Sequence, residues 1–486
     1  MSTRIIPRRG LAQRDAGRAT IAPLPRVHRA ASTQLAGIYP FLYGRALPPV
    51  GPYLGIDTLT GAAFSCHPVE WLRLGLVSNP NLLVTGIPGS GKSATLKILA
   101  LRLMTYGVKT FVMGDLKNEY ATLARTVGVE PIELGPGLPT RINPLDAGSL
   151  STNLPADPAA VVDRLAEIHR RRLTLLAALV ETRLRRVLTP TEENAVSEAI
   201  REATGEGAGH STLTTPTIPE VWTLLRDPDH ELARALRVPD DSATAAREMI
   251  RPIADALGTM VTGSLSGLFD GPTTIALDFD APIQTVDLSR LESRGDETVA
   301  LTLACVSAWG QAALARDAEL ADPPVRLVIR DELWRPMRIP ALVRNLDADL
   351  RLSRATGTVQ VLATHRLADF EAVGPAGSEE AAIARNLIGS CDTRICLAQD
   401  TAPLAATREA IGLTEAECAQ ISSYTGAHIG RAIWKVGRSF SIAAQVLLTE
   451  EERRITETNQ RMRAEVRGFT FSEESSGANP RGQARS

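Results

Sequence analysis

The chain has 486 residues, 44% hydrophobic and 22% charged, with a formal net charge of −2. This suits one large globular domain with an insertion, or two to three smaller ones, and the charge balance excludes a global drive toward nucleic acid or anionic lipid, leaving only local patches. No apolar run approaches the ~20 residues of a membrane span, and the start of the chain lacks the apolar core of a signal peptide, so a cytoplasmic protein is expected, with any attachment to the inner face of the cell membrane peripheral and made through partners.

Residues 1–36 are basic, with Arg4, Arg8, Arg9, Arg14, Arg18, Arg26 and Arg29 against Asp15 alone. Proline and glycine break any pattern, so a disordered basic arm is expected. It reads either as a solvated tail or as an electrostatic hook for DNA, acidic lipid or an acidic partner surface. Residues 37–150 read as the first part of a nucleotide-binding domain. GIYPFLYG and GPYLGIDTLTGAAF look like hairpins, with Gly61 at the reversal of the second.

Asn81 to Ser93, NLLVTGIPGSGKS, then reads as buried strand, glycine loop and helix start. Gly86, Gly89, Gly91, Lys92 and Ser93 fit the P-loop spacing, with four free positions between the first glycine and Gly-Lys-Ser. Glycines at 89 and 91 can take positive φ and keep side chains away from a polyphosphate. The loop amides and the helix N-terminus then face the phosphates. Gly86, Ile87, Pro88, Gly89, Ser90, Gly91, Lys92, Ser93 and Ala94 are the expected cradle for ATP. Lys92 supplies a charge between the β- and γ-phosphates, and Ser93 a hydroxyl for Mg2+.

A strand is expected over 108–113, ended by Gly114-Asp115. Asp115, Lys117, Glu119 and Tyr120 follow as a polar cluster, either ligand-facing at a strand end or an ordinary acid-rich helix start. Another strand is expected over 131–134, and Asn143-Pro144 marks a turn out of the sheet. Residues 151–261 lack strand alternation and carry helical spacing at Leu165, Ile168, Leu176, Leu179, Leu184 and Leu188. Thr189-Pro190-Thr191-Glu192 has the form of a helix start with a capping box. Further helices are expected over 219–226 and 243–258. This is an all-helical insertion, a place for partner contacts by fold-level analogy.

Residues 262–466 resume the nucleotide-binding domain, with strands over 284–288, 325–329, 358–364 and 393–397, a helix over 297–315, a hairpin around 436–439, and a last helix capped by Thr449 and Glu452. Residues 467–486 read as a disordered tail. The alternation argues for an α/β fold with a mainly parallel sheet and helices on both faces. The five cysteines, at 66, 305, 391, 396 and 418, form no Cys-x-x-Cys pair. Reduced buried thiols are expected, not zinc or a disulfide scaffold.

Asp331-Glu332 follows the apolar run Val-Arg-Leu-Val-Ile, as a Walker B pair should. Asp331 can hold Mg2+ through water, and Glu332 can orient and deprotonate the attacking water. Arg330 departs from the usual apolar residue, which implies a partly exposed strand end or a pairing with an acid. His365 ends the next strand, either as a polar sensor of the γ-phosphate or as a plain strand-end histidine. Arg354 is the arginine chosen for a neighbour's site, with Arg351 and Arg394 as rivals. A finger acting in trans needs a ring of subunits.

Taken together the motifs resemble those of the ATPases of type IV secretion and conjugal DNA transfer, the TraC-like branch of the HerA–FtsK superfamily. The matching pieces are NLLVTGIPGSGKS, GDLKNEY, INP at 142–144, LFDG at 268–271, VDLSRL, LVIRDELW and RATGTVQVLATHRLADF. They come in family order over about 50–440. The resemblance implies a RecA-like P-loop ATPase using ATP and Mg2+, assembled as a homo-hexamer, with channel components as partners. It places Lys92, Ser93, Asp331, Glu332 and His365 in the roles above, and Arg354 where the family's finger arginine lies. His365 stands where glutamine is common. The family's N-terminal docking domain is expected to be absent or reduced to residues 1–50, which assigns docking to a separate chain. Two other readings stand beside this one: a HerA/FtsK-like DNA-translocating ATPase or coupling protein, and a nucleotide-gated assembly scaffold with slow hydrolysis.

Overall fold

The computed structural model describes residues 11–13, 16–19, 47–152, 154–206, 214–275, 277–278, 280–315, 320, 323–335, 337, 339–370 and 379–457. Within the basic arm, β1 (Leu11–Gln13) and β2 (Ala16–Ala19) form an antiparallel pair. The rest of that arm, the GIYPFLYG piece and the tail from Arg467 lie outside the described residues.

The main sheet has 11 strands. In chain order they are β3 (Tyr53–Asp57), β4 (Ala63–Ser65), β5 (Leu82–Thr85), β6 (Lys109–Asp115), β7 (Ile132–Glu133), β8 (Ile283–Asp287), β9 (Arg326–Arg330), β10 (Thr358–Thr364), β11 (Thr393–Cys396), β12 (Arg431–Val436) and β13 (Phe440–Val446). Their order in space is β4-β3-β13-β12-β11-β5-β10-β9-β6-β8-β7. From β11 to β7 all neighbours are parallel. From β11 to β4 all are antiparallel. The expected hairpins in GPYLGIDTLTGAAF and around 436–439 thus form the antiparallel end of a mainly parallel sheet. Gly61, at φ 72, makes the tight reversal between β3 and β4.

Strand alternation decides which core each side chain enters. In β5, Leu82 and Val84 join one core while Leu83 joins the core on the opposite face. All three are fully buried, as expected of a parallel strand covered on both sides. One face carries α1 (Pro68–Arg73), α2 (Lys92–Met104) and α3 (Ala121–Thr126), whose Trp71, Leu96, Leu99 and Leu123 pack with Leu327, Val361 and Trp434.

The other face divides in two. Next to β6 and β8 it is covered by α10 (Asp296–Ala315) and by the insertion. The insertion is helical: α4 (Ser149–Thr152), α5 (Pro158–Leu184), α6 (Pro190–Thr204), α7 (Ile218–Arg226), α8 (His230–Ala235) and α9 (Ala243–Thr262). Thr189 and Glu192 close a capping box on α6, and Thr217 and Glu220 another on α7. The insertion does not keep a core of its own. Leu176, Leu179, Ile200, Ile250 and Ile253 share one continuous core with Phe111, Val286, Cys305 and Trp309. Two motif pieces bind its roots: Ile142 N–H donates to the Leu268 carbonyl at 3.0 Å, and Arg141 Nε to Asp270 at 3.1 Å. Asn143 donates to the Pro216 carbonyl at 2.9 Å, tying INP to the insertion itself.

Beside β5 and β10, α11 (Pro340–Thr356), α12 (Glu379–Gly389), α13 (Thr401–Ile411) and α14 (Glu415–Ser422) supply the second core on this face. A final helix, α15 (Glu450–Thr456), starts at the expected Thr449–Glu452 box. Among the described residues no helix is long and apolar enough to cross a membrane.

Arg330 pairs with an acid. Its guanidinium donates to Asp349 and Ser307, each at 2.7 Å, and Gln311 donates to the same Asp349 carboxylate. Burial pulls the guanidinium pKa down and pushes the Asp349 carboxyl up, against their mutual attraction. Removing one partner leaves a desolvated charge. Asp349→Ala is therefore expected to cost roughly 3–5 kcal/mol, read as a lower urea midpoint at unchanged slope. A cost below about 1 kcal/mol would place the pair among solvent-screened surface bridges.

Candidate functional site

The glycine loop joins β5 to α2 at the C-terminal ends of the parallel strands. Gly89 and Gly91 have φ of 78 and 99, as the loop reading requires. A Cβ on Gly89 would meet open space, whereas one on Gly91 would lie 2.6 Å from the Gly430 amide nitrogen. The first needs glycine for its dihedral alone, the second also for the close approach of the turn before β12. That turn is fastened to the loop by Gly430 N–H donating to the Ser90 carbonyl at 3.0 Å. On the same side Ile87 N–H donates to the Ala398 carbonyl at 2.9 Å.

Gly91 is the N-cap of α2 and provides no side-chain cap. First-turn amides of a helix have no intrahelical acceptor, so the loop presents donors at the positive helix end. Lys92 is buried, and its ammonium donates to the Gly86 carbonyl at 2.8 Å and to His365 Nδ1 at 2.7 Å. Burial lowers the Lys92 pKa, partly offset by the charges of Asp331 and Glu332. An ammonium has only protons to give, so Nδ1 of His365 accepts and the ring proton lies on Nε2. His365 Nε2 then donates to Glu332 Oε1 at 3.2 Å.

Glu332 is where the site is most constrained. Its φ is 51, an uncommon conformation for a residue with a side chain. Lys117 and His365 both donate to Oε1, and Trp334 Nε1 donates to Oε2 at 2.7 Å. Burial raises the Glu332 pKa, but the bonds from His365, Lys117 and Trp334 outweigh it and hold the carboxyl well below its ordinary range. Asp331 shifts the other way: burial and the adjacent Glu332 charge push its carboxyl up. Asp331 accepts from the Glu332 amide at 2.9 Å and from the Tyr120 hydroxyl at 3.3 Å.

The cluster after β6 does face the site. Asp115 is buried and accepts from the amides of Lys117, Glu119 and Tyr120, which shapes the turn carrying Lys117 to Glu332. Sequence reasoning grouped these residues without a partner for Lys117, and it quoted Trp334 within LVIRDELW without giving it a role. It also passed over Lys97 on α2, which is fully buried and lies 5.9 Å from the Tyr120 ring. The sign available was a lysine one turn and a half into an otherwise apolar helix face.

Arg354 is not part of this cluster. It lies exposed in the last turn of α11, before β10 begins, and makes no hydrogen bond or ion pair with the described residues. The loop lies at the other end of β10, since Thr364 pairs with Thr85. Seven residues of strand span roughly 20 Å, so Arg354 cannot reach its own chain's loop. Its rivals are engaged within the chain: Arg351 with Asp347 at 2.9 Å, Arg394 with the Cys391 carbonyl at 3.0 Å.

The residues fit a nucleotide with a hard divalent cation. Ser90 Oγ is buried without a hydrogen-bond partner. Ser93 and Asp331 offer oxygen ligands, the type Mg2+ prefers. Among the described residues no group of three or more His, Cys, Asp or Glu could hold a metal. The protein would therefore contribute few ligands, as is usual when phosphates and water supply the rest.

No protein-family model matches the chain, and no curated protein does. Solved structures do match. VirB4 of Thermoanaerobacter pseudethanolicus superposes with a TM-score of 0.64 at 21% identity, over 84% of this chain and 99% of that one. The bacterial conjugative coupling protein TrwBdeltaN70 gives 0.53 at 14% identity, over 88% and 95%. The plasmid coupling protein TrwB in complex with ADP and Mg2+ gives 0.52 at 15%, again over 88% and 95%. The chain has the P-loop NTPase fold of these proteins.

Burial raises the Asp115 carboxyl from 3.8 to about 6, against the amide bonds that lower it. The folded chain therefore holds this proton more tightly than the unfolded one. Its contribution to stability is full below the unfolded value and is lost as pH rises through about 6. Relative to the natural chain, Asp115→Asn should gain on the order of 2 kcal/mol between pH 4 and pH 7, measured from urea midpoints. A difference independent of pH would show that the carboxyl is not desolvated.

Proposed function

We propose that this chain is a Mg2+-dependent ATPase that works as a ring, a homo-hexamer, and powers conjugative DNA transfer or type IV secretion. The observation that carries the reading is the continuous set of contacts from Gly86 through Lys92 and His365 to Glu332. It joins a phosphate-binding loop to a general base. The fold shared with VirB4 and with TrwB, whose structures include a complex with ADP and Mg2+, supports it.

In this reading residues 86–94 cradle the triphosphate with their amides, and Lys92 adds the charge that steadies the β- and γ-phosphates. Bound Mg2+, held by Ser93 and Asp331, would neutralise phosphate charge. Glu332 orients the attacking water and takes its proton. Three donors make that carboxylate a weak base, so its tie to Lys117 has to loosen before it acts. His365 touches both Lys92 and Glu332, which suits a sensor that links phosphate contact to the base. Arg354, free on the surface, is the group offered to a neighbouring subunit's site.

The partners are then components of a conjugation or secretion channel, and any membrane association comes through them at the inner face of the membrane. A second reading makes DNA the translocated cargo, because a conjugative coupling protein shares the fold over 88% of this chain. ATPase activity stimulated by DNA, with steep salt dependence, distinguishes it.

Lys92→Ala and Glu332→Gln should each lower ATP turnover by at least about 100-fold, with MgATP binding retained in Glu332→Gln. Normal turnover by either purified variant contradicts the mechanism. Arg354→Ala should be inactive alone yet regain activity when mixed with Lys92→Ala, because mixed neighbours rebuild whole sites. A mixture no more active than its parts rules Arg354 out as a group acting in trans.

A further inference from the structure

The turn before β12 has a feature that neither packing nor hydrolysis uses. Ile429 is 54% exposed although hydrogen bonds on both sides fasten the turn in which it sits. Gly430, at φ 76, directs its amide to the Ser90 carbonyl. Gln445 Nε2 holds the Ile429 carbonyl at 3.0 Å. The Ile429 side chain is thereby kept against the phosphate loop: its Cγ2 lies 3.0 Å from where a Cβ on Gly91 would be. An exposed isoleucine is ordinary on a surface. One held rigidly beside the N-cap of a phosphate-binding helix is a different matter.

The sheet order gives this position a direction. On one side of β5 stand β10 and β9, which carry His365, Asp331 and Glu332. The reacting end of a nucleotide must face those groups. The rest of the molecule then extends toward the other side of β5, where β11 and β12 stand. There the loop is met by the segment at Ala398 and by the turn carrying Ile429.

We propose that Ile429 is the apolar wall of the nucleobase subsite, packing against the face of the base while residues 86–94 hold the phosphates. This rests on the phosphate-loop reading and assigns the side chain that makes a nucleoside triphosphate bind more tightly than its phosphates alone. A base ring stripped of water against an aliphatic side chain gains contact area on one face. The fastened turn means little ordering cost on binding.

The test compares two ligands on the full chain, MgADP and inorganic pyrophosphate with Mg2+, by titration calorimetry. Ile429→Ala removes three carbons from an exposed position, so the fold should hold, which the urea midpoint verifies. MgADP affinity should fall by about 3- to 10-fold, with pyrophosphate affinity unchanged. Unchanged MgADP affinity overturns the proposal, as does an equal loss for both ligands, which would mean that the loop itself was disturbed. If the natural chain binds pyrophosphate as tightly as MgADP, no base subsite exists. If it binds neither, the phosphate-loop reading fails first and this assignment with it.

Discussion

The site depends on the position of β10 between β5 and β9. Thr364 lies opposite Thr85, and Leu362 opposite Arg330. Residues that leave these three strands at their C-terminal ends therefore meet although up to 280 positions separate them in sequence, as Gly86 and His365 do through Lys92. A parallel sheet places ligand-facing groups at such ends. Here it brings a lysine, a histidine and a carboxylate into one hydrogen-bonded line. A slip of one residue in β10 would turn Leu362 and its neighbours to the wrong faces, and His365 with them. The two cores that grip β10 from opposite sides resist that slip.

On this frame the electrostatics pull in opposite directions at adjacent residues. Asp331 is driven toward its neutral form and Glu332 toward its charged form. The difference comes from their partners. Asp331 is served by one backbone amide and one hydroxyl, Glu332 by a lysine, a histidine and an indole. Glu332 also holds a left-handed backbone, a conformation that costs on the order of 1–3 kcal/mol and collects at functional sites. The contacts that hold it there also keep its carboxyl in the charged, weakly basic form.

What could be read from sequence divides along physical lines. The loop, its strand and α2 were legible because glycine spacing and apolar periodicity are local. The helices of the insertion were legible for the same reason, through caps such as Thr189 with Glu192. Arg330 was visible as a departure, with an acid foreseen as one explanation, but Asp349 lies on another element and could not be singled out. Lys117 and Glu332 are 215 positions apart, and nothing in either stretch names the other. The merging of the insertion with the sheet's core was likewise hidden, since an apolar helix face does not say what covers it. Ile429 reads in sequence only as the start of a hairpin strand: its place beside the loop follows from Gly430 meeting Ser90.

The motif pieces outside the loop also gained physical roles. INP and LFDG clamp the two roots of the insertion, and the residues after β6 shape the turn that presents Lys117. The central claim is that a triphosphate seats on residues 86–94 with Lys92 as its charge partner. An experimental structure of the chain with Mg2+ and a non-hydrolysable ATP analogue tests it most directly. The account predicts the phosphates on the loop amides and the Lys92 ammonium moved from the Gly86 carbonyl onto them. Nucleotide bound elsewhere, or Lys92 still resting on Gly86 and His365 beside a bound nucleotide, would contradict it.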